Sequence, residues 1–349
     1  MLKVAIIGGS GYTGGELLRL LKQHPNVKIA VVTSERSAGK RVSELFPNLK
    51  GFKLKFERFN RKEDVKKADL FFLCLPHKES QEAVSYFYKA GKKVIDLSAD
   101  YRLKSALVYR KWYQTRHKFP ALLRKSVYGF PELYREKIKK ASIVANPGCY
   151  PVSAILGLSP IIGERYLDTN SIIIDSKSGV SGAGRNPSLP IMFSETSQSV
   201  KAYAVTVHRH TPEIEQELSS VSKKKITVVF TPHLIPMDRG ILSTIYVKTK
   251  RKVKLSDVQK RYRDFYADEP FVRVLRNGEY PTTKAVSGSN FCDISIFSDT
   301  HNSKTQTLII ISTIDNLLKG ASGQAVQNMN IMYGFNETTG LTGLSIWPG

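Results

Sequence analysis

The stretch LKVAIIGGSGYTGGELLRLL, at the start of the chain, constrains the fold more than any other. Residues 2–7 are an apolar run suited to a buried strand, Gly8 to Gly14 break it, and residues 16–21 resume with helical spacing. Within the break, Gly9, Gly11 and Gly14 have the G-x-G-x-x-G spacing. Without side chains the backbone can turn sharply and approach a pyrophosphate, and the following helix offers its N–H groups and the positive end of its dipole. A plain tight turn is the rival explanation. The strand–loop–helix context favours a dinucleotide loop, with Gly9, Ser10, Gly11, Tyr12, Thr13 and Gly14 against the cofactor.

An NAD site usually carries Asp or Glu at the end of the second strand. That strand here ends Val32-Thr33-Ser34-Glu35-Arg36, with Thr33 at the acid position. Hydroxyls, chiefly Ser34, and the Arg36 guanidinium suit a 2′-phosphate, so NADP(H) is the expected cofactor. Glu35 argues the other way unless it points outward. Further continuous apolar runs, residues 28–33, 69–75 and 93–97, alternate with helical spacing, as parallel strands buried on both faces do. Residues 1–147 are therefore expected to form a Rossmann-like, doubly wound α/β domain that binds the dinucleotide. After Cys149 strand-like runs crowd together: 171–176, 202–207, 226–230, 242–248, 293–297 and 307–311. They predict an α+β catalytic domain over 148–315, with a mixed, largely antiparallel sheet and helices on one face. A last apolar, Gly/Ala-rich helix is expected from Asn316 to about Met332.

A chain of 349 residues suits two domains. Its three cysteines, Cys74, Cys149 and Cys292, are too few and too uneven for a disulfide framework, which points to a reducing compartment. The N-terminal apolar run is too short for a signal peptide, and no segment reaches the roughly 20 apolar residues of a membrane span. The expected location is the cytoplasm, with no membrane partner. The net charge of +23 raises the possibility of nucleic acid or an acidic partner. The lysines are scattered, however, and no zinc-finger spacing or aromatic RNA-binding motif accompanies them, so no nucleic-acid partner is expected. A solvated basic surface and a site that prefers anions remain.

The chemistry centres on ANPGCYPVSAILGL. Cys149 follows a Pro-Gly turn between a strand, residues 143–145, and an apolar helix. It is either a small packing residue or a thiol whose thiolate is favoured by the helix dipole. Cys74 and Cys292 lie within apolar strands and read as packing. A nucleophilic thiolate needs a proton carrier. HRHTPEIEQEL supplies His208 and His210 at a strand end, beside a helix that opens with Pro212. The two histidines with Glu213 could instead hold a metal, but no third cluster joins them, and no metal is expected. A cysteine, a histidine and a nicotinamide together imply one reaction type: thiolate attack on an acyl carbon gives a thioester, which hydride reduces to an aldehyde.

Beyond these two motifs lie LPHKES, VIDLSADYRL, VYGFPEL, SKSGVSGAGR, HLIPMDRG, YPTTKAVSGSNFCDI and IDNLLKGASGQAVQNMN. Nearly end to end, the chain resembles the N-acetyl-gamma-glutamyl-phosphate reductase family, relatives of aspartate-semialdehyde dehydrogenase. The resemblance implies NADPH-dependent reduction of a small-molecule acyl phosphate, N-acetyl-glutamyl 5-phosphate, to the semialdehyde in arginine biosynthesis. It also implies a homodimer or homotetramer built through the second domain, with a C-terminal helical segment, about 316–349, packing back on the first. It makes Cys149 the nucleophile and places the acid/base role on His210 first and His208 second. It assigns Ser178, Gly179 and Gly182 to the nicotinamide, Asn316 to its carboxamide, and Arg102 to phosphate. Asn146, Arg185 and Glu213 complete the expected substrate contacts. A neighbouring branch reduces an acyl phosphate carried by an acidic protein; its acidic segment stands where this chain has SGVSGAGRNP. A regulatory dinucleotide sensor with no need of Cys149 is the non-enzymatic alternative.

Overall fold

The computed structural model describes residues 1–301 and 305–347. The chain divides into two compact units, one of Met1–Gly148 with Ala321–Thr342, the other of Cys149–Gly320 with the segment from Gly343 on. In the first unit six strands, β1 (Leu2–Ile7), β2 (Val27–Val32), β3 (Leu70–Leu73), β4 (Lys93–Asp96), β5 (Val127–Tyr128) and β6 (Ile143–Ala145), form one sheet in the order β2-β1-β3-β4-β6-β5. Every pairing is parallel. Val4 to Ile7 and Leu70 to Leu73 are fully buried, which is why these strands read as unbroken apolar runs. The helices Tyr12–Lys22 and Ser80–Lys89 connect successive strands, and Phe87 of the second stacks on Phe71 of β3 at 3.8 Å between ring centroids. Burying one such side chain stabilises the fold by about 1.5–3 kcal/mol.

The C-terminal helix, Gly323–Tyr333, belongs to this unit and packs on the helices Tyr12–Lys22 and Pro131–Lys139. It is shorter than the expected 316–349. A π-helical turn, Leu318–Ser322, precedes it, and Gly334 ends it at φ 68°, a left-handed cap that glycine takes without strain. Residues 348–349 of that expectation lie outside the described residues.

Among the described residues the second unit holds seven strands: β7 (Ile173–Ser178), β8 (Lys201–Ala202), β9 (Val229–Leu234), β10 (Ile241–Lys248), β11 (Val272–Val274), β12 (Cys292–Asp299) and β13 (Thr307–Ile314). Their order is β11-β12-β13-β10-β7-β9-β8. The β11–β12 and β7–β9 pairs are parallel and the other four antiparallel, the mixed sheet expected. The helix Cys149–Leu158, apolar on all sides, lies on β10 and β13, and Gly157 lets it come close: a Cβ there would sit 2.5 Å from Ile245. The helix Thr211–Ser222 packs on it in turn. Along β10, buried residues alternate with half-exposed ones, so one face of this sheet carries the helices.

The expected strand over 202–207 does not form. β8 stops at Ala202, and Ala204 (φ 46°) and Thr206 (φ 65°) turn the chain through left-handed conformations incompatible with a strand. His208 and His210 thus follow a tight turn rather than a strand end. The strand expected over 226–230 begins at Val229 instead, because Ile226 is buried and its N–H is taken by the Ser219 hydroxyl at 2.9 Å. Among the described residues no helix is long and apolar enough to cross a membrane.

Candidate active site

The glycine loop is built as a cradle. Gly8 takes φ 79°, its N–H donates to Thr33 Oγ1 at 3.1 Å, and the Gly9 N–H donates to the Thr33 carbonyl at 2.8 Å. Ser34 Oγ donates to Ser10 Oγ at 2.9 Å. A Cβ on Gly14 would collide with the Gly9 backbone, whereas one on Gly11 would meet nothing within 4 Å. Gly11 precedes the helix Tyr12–Lys22 and no side chain caps it, so its first N–H groups are left for a ligand. These features fit a dinucleotide pyrophosphate.

Thr33 proves to be a tether. It is buried, and its hydroxyl is spent on the loop. Glu35 turns away, accepting the Phe59 N–H at 3.1 Å. The Arg36 side chain, four residues past β2, is exposed. Cys74 sits just past β3, and burial pushes its thiol up to about 12, so it is inert at neutral pH.

The DLSADYR segment forms a buried polar knot in the same unit. Ser80 Oγ lies 3.1 Å from Asp96 and 2.9 Å from Asp100, and Ser98 Oγ donates to Asp96 at 2.8 Å. Tyr109 donates to Asp100 at 2.7 Å. Burial, then the Asp100 charge, push Asp96 up to about 7. Arg102 is buried here; its Nε donates to the Asn146 carbonyl at 2.7 Å and its Nη2 to the Leu97 carbonyl at 2.9 Å. Asn146 is buried too, its amide bonded to the Ala321 carbonyl at 2.9 Å and to Asn328 at 3.1 Å. Both residues thus clamp the carboxyl ends of β4 and β6, with the polar atoms just named engaged within the fold.

In the second unit Cys149 is the first residue of its helix, and a Cβ on Gly320 would lie 2.8 Å from Cys149 Cβ, so only glycine fits there. Tyr150 follows, its hydroxyl 2.9 Å from that of Tyr203. Burial raises both phenols, Tyr203 to about 12, and the charge of the Cys149 thiolate adds to the shift of each. His208 packs edge-on against both rings, at 5.4 Å from Tyr150 and 5.6 Å from Tyr203, and against Phe230 at 5.4 Å. Desolvation, helped by Arg209, holds His208 down to about 4. His208 Nδ1 accepts the His210 N–H at 3.1 Å, which leaves the ring hydrogen of neutral His208 on Nε2. His210 stands next along the wall, 4.9 Å from His208, and precedes the helix whose first turn holds the buried Glu213.

Ser178, Gly179, Gly182 and Asn316 come together in one network of this unit. Asn316 accepts the Gly240 N–H at 2.7 Å and donates to Ser181 Oγ at 3.0 Å, while Ser178 Oγ donates to the Gly179 carbonyl at 3.0 Å. A Cβ on Gly182 would lie 3.4 Å from Ser178 Oγ. The buried Asp315 fixes the neighbouring Arg239 at 3.3 Å and the Gly288 N–H at 2.7 Å. Arg185 is exposed on the following loop. Tyr150, Tyr203 and Asp315 are the neighbours sequence reasoning missed. Tyr150 stood beside Cys149 in the NPGCYP motif; Tyr203 carried no motif at all.

Two family profiles match the chain. One, described as "Semialdehyde dehydrogenase, NAD binding domain", covers residues 3–141; the other, "Semialdehyde dehydrogenase, dimerisation domain", covers 149–316. The chain is 54% identical over 350 residues to an N-acetyl-gamma-glutamyl-phosphate reductase of Geotalea daltonii, covering all of both chains. It is 51% identical to the protein of that name from Desulforamulus reducens, again over all of both. Among solved structures it resembles aspartate semialdehyde dehydrogenase II of Vibrio cholerae, with a TM-score of 0.72 and 18% identity over 96% of this chain and 98% of the other. The Candida albicans enzyme, solved with NADP, matches with a TM-score of 0.69 and 15% identity over 95% and 98%. These last two share the fold.

Proposed function

The chain belongs to the N-acetyl-gamma-glutamyl-phosphate reductases of the semialdehyde dehydrogenase family, and we propose that its own residues carry that chemistry as follows. The reaction is the NADPH-dependent reduction of N-acetyl-L-glutamyl 5-phosphate to N-acetyl-L-glutamate 5-semialdehyde with release of phosphate, a step of arginine biosynthesis. The observation that carries the residue roles is the Cys149 thiol at a helix N-terminus, its charge felt by Tyr150 and Tyr203, with His208 packed on both rings.

Cys149 gives its proton to a histidine and attacks the acyl carbon. A C–S bond forms, the C–O bond to phosphate breaks, and the histidine passes the proton to the departing phosphate. The glycine loop would hold NADPH, which would supply the hydride that reduces the thioester. The tetrahedral oxyanion then re-forms its C=O bond and expels the Cys149 thiolate, which regains a proton through the histidine.

The proton role is proposed for His210, with His208 as its support. His210 meets the Tyr150 ring at 5.9 Å. His208, held neutral by burial, has its Nδ1 lone pair on the His210 N–H and its ring hydrogen on Nε2, so neither nitrogen is open to take the thiol proton. Arg36 is the proposed 2′-phosphate contact, and the Ser178–Gly182 loop with Asn316 is proposed for the nicotinamide. Arg102 and the exposed Arg185 are proposed for the anionic substrate. Asn146 and Glu213, both buried, are assigned to holding the substrate-binding segments.

The subunit is proposed to pair as a homodimer or homotetramer in the cytoplasm; the matched dimerisation profile over 149–316 and the exposed Ile173 and Val229 on neighbouring strands support the pairing. The test of the activity is the reverse reaction, NADP reduction by N-acetyl-glutamate semialdehyde followed by absorbance. It should require phosphate; reduction at the same rate without phosphate would contradict the acyl-phosphate assignment.

A further inference from the structure

Tyr203 reaches the candidate site by an unusual route. Its own N–H is pinned to the Pro232 carbonyl at 3.1 Å, and the next residues turn at once through Ala204 (φ 46°) and Thr206 (φ 65°). Left-handed backbone is unfavourable for alanine and more so for a β-branched threonine, and it persists only where surrounding contacts over-determine it. The turn is otherwise weakly anchored: Ala204, Val205, Thr206 and Val207 are all exposed. The packed ends are Tyr203 and His208, whose rings meet edge to face at 5.6 Å. The strained turn therefore serves to bring these two rings together.

The hydroxyls add a second constraint. Tyr203 and Tyr150 share one hydrogen bond of 2.9 Å, and the Tyr150 hydroxyl is also hydrogen-bonded with Ser178, so the pair is tied into the fold. Both phenols lie within electrostatic reach of the Cys149 thiolate, and burial keeps them protonated across the working pH range, so they act as donors and not as titrating groups.

We propose that Tyr203 is a positioning residue for the Cys149–histidine pair: its ring fixes the His208 imidazole, whose Nδ1 holds the His210 N–H, and its hydroxyl, paired with Tyr150, holds that ring against the helix that Cys149 opens. The inference rests on the reading of Cys149 as nucleophile and His210 as proton carrier.

The test is Tyr203→Phe in the full-length enzyme, which keeps the ring and removes the hydroxyl. kcat should fall about tenfold, the scale of one hydrogen bond, with KM nearly unchanged. The pH midpoint for alkylation of Cys149 should move upward, because the histidine paired with the thiol is less firmly held. Tyr150→Phe should do the same, and the double variant should be no worse than the more damaging single one, since either change breaks the same couple. Wild-type kcat and an unmoved alkylation midpoint in Tyr203→Phe would overturn the proposal, as would fully additive losses in the double variant. Thermal melting of each variant separates loss of fold from loss of position; should Tyr203→Phe melt early, Tyr150→Phe carries the same two readouts. An inactive Cys149→Ser beside a fully active Tyr203→Phe would sink this proposal alone, whereas an active Cys149→Ser would sink the reading beneath it.

Discussion

Two helices of this chain start from turns that sequence alone marks as special, and they use the same physics for opposite ends. The helix Tyr12–Lys22 follows the open Gly11, lacks a side-chain cap and carries an amphipathic surface. The helix Cys149–Leu158 follows a Pro-Gly turn, is apolar on every side, and opens with a thiol. In the first, the unpaired N–H groups and the dipole are left for a ligand's negative charge; in the second, the dipole favours a negative charge carried by the protein itself. A helix N-terminus becomes a binding site where glycines clear the space, and a reactive site where a titratable side chain fills it.

The sharpest way to break this comparison is to remove the titratable group. Cys149→Ser should abolish turnover while NADPH still binds with wild-type affinity, because an alcohol ionises far above neutral pH and the glycine loop is untouched. Turnover within tenfold of wild type would end the nucleophile assignment. Next in size is the proton carrier. His210→Asn should lower kcat by about 10²–10⁴-fold, the usual loss for a general acid/base, and His208→Asn by clearly less. The reverse order in steady-state assays would move the role to His208.

The cofactor end is sharpened by Arg36→Ala. Loss of a charge-assisted contact to the 2′-phosphate should weaken NADPH by about ten- to a hundredfold and leave NADH nearly unaffected. Fluorescence titration with both nucleotides decides it; unchanged NADPH affinity would move the phosphate contact elsewhere. The smallest effect concerns stability. Asp96 is held up at about 7 against an ordinary 3.8, so its protonated form is the one the fold accommodates. Its contribution is full below about pH 4 and is lost as pH rises through about 7. Asp96→Asn, which cannot titrate, should flatten the fall in urea-unfolding stability over that window; an unchanged slope would contradict the buried-proton account.

What could be read in the sequence divides along the same line. Strands β1, β3, β4 and the glycine loop were visible because buried parallel strands are continuous apolar runs and glycine spacing is a local signal. Cys149 was visible because its turn and helix are adjacent in the chain. Tyr203 was not: its partner hydroxyl lies 53 positions away, and the positive φ values of Ala204 and Thr206 run against the preferences that made residues 202–207 look like a strand. Thr33 and Arg102 were found as residues, but their tertiary partners, the Gly8 N–H and the Asn146 and Leu97 carbonyls, are not encoded locally. For the same reason the bond between the His210 N–H and His208 Nδ1 could not be read from the HRH spacing.

The central claim, a covalent acyl group on Cys149, is tested most directly by mixing the enzyme with N-acetyl-glutamyl 5-phosphate in the absence of NADPH. Phosphate should be released in a rapid burst of about one equivalent per subunit. Mass spectrometry should find the acyl group on the peptide containing Cys149, and later addition of NADPH should discharge it as aldehyde. Phosphate release that waits for NADPH, or an acyl group on any other residue, would contradict the account.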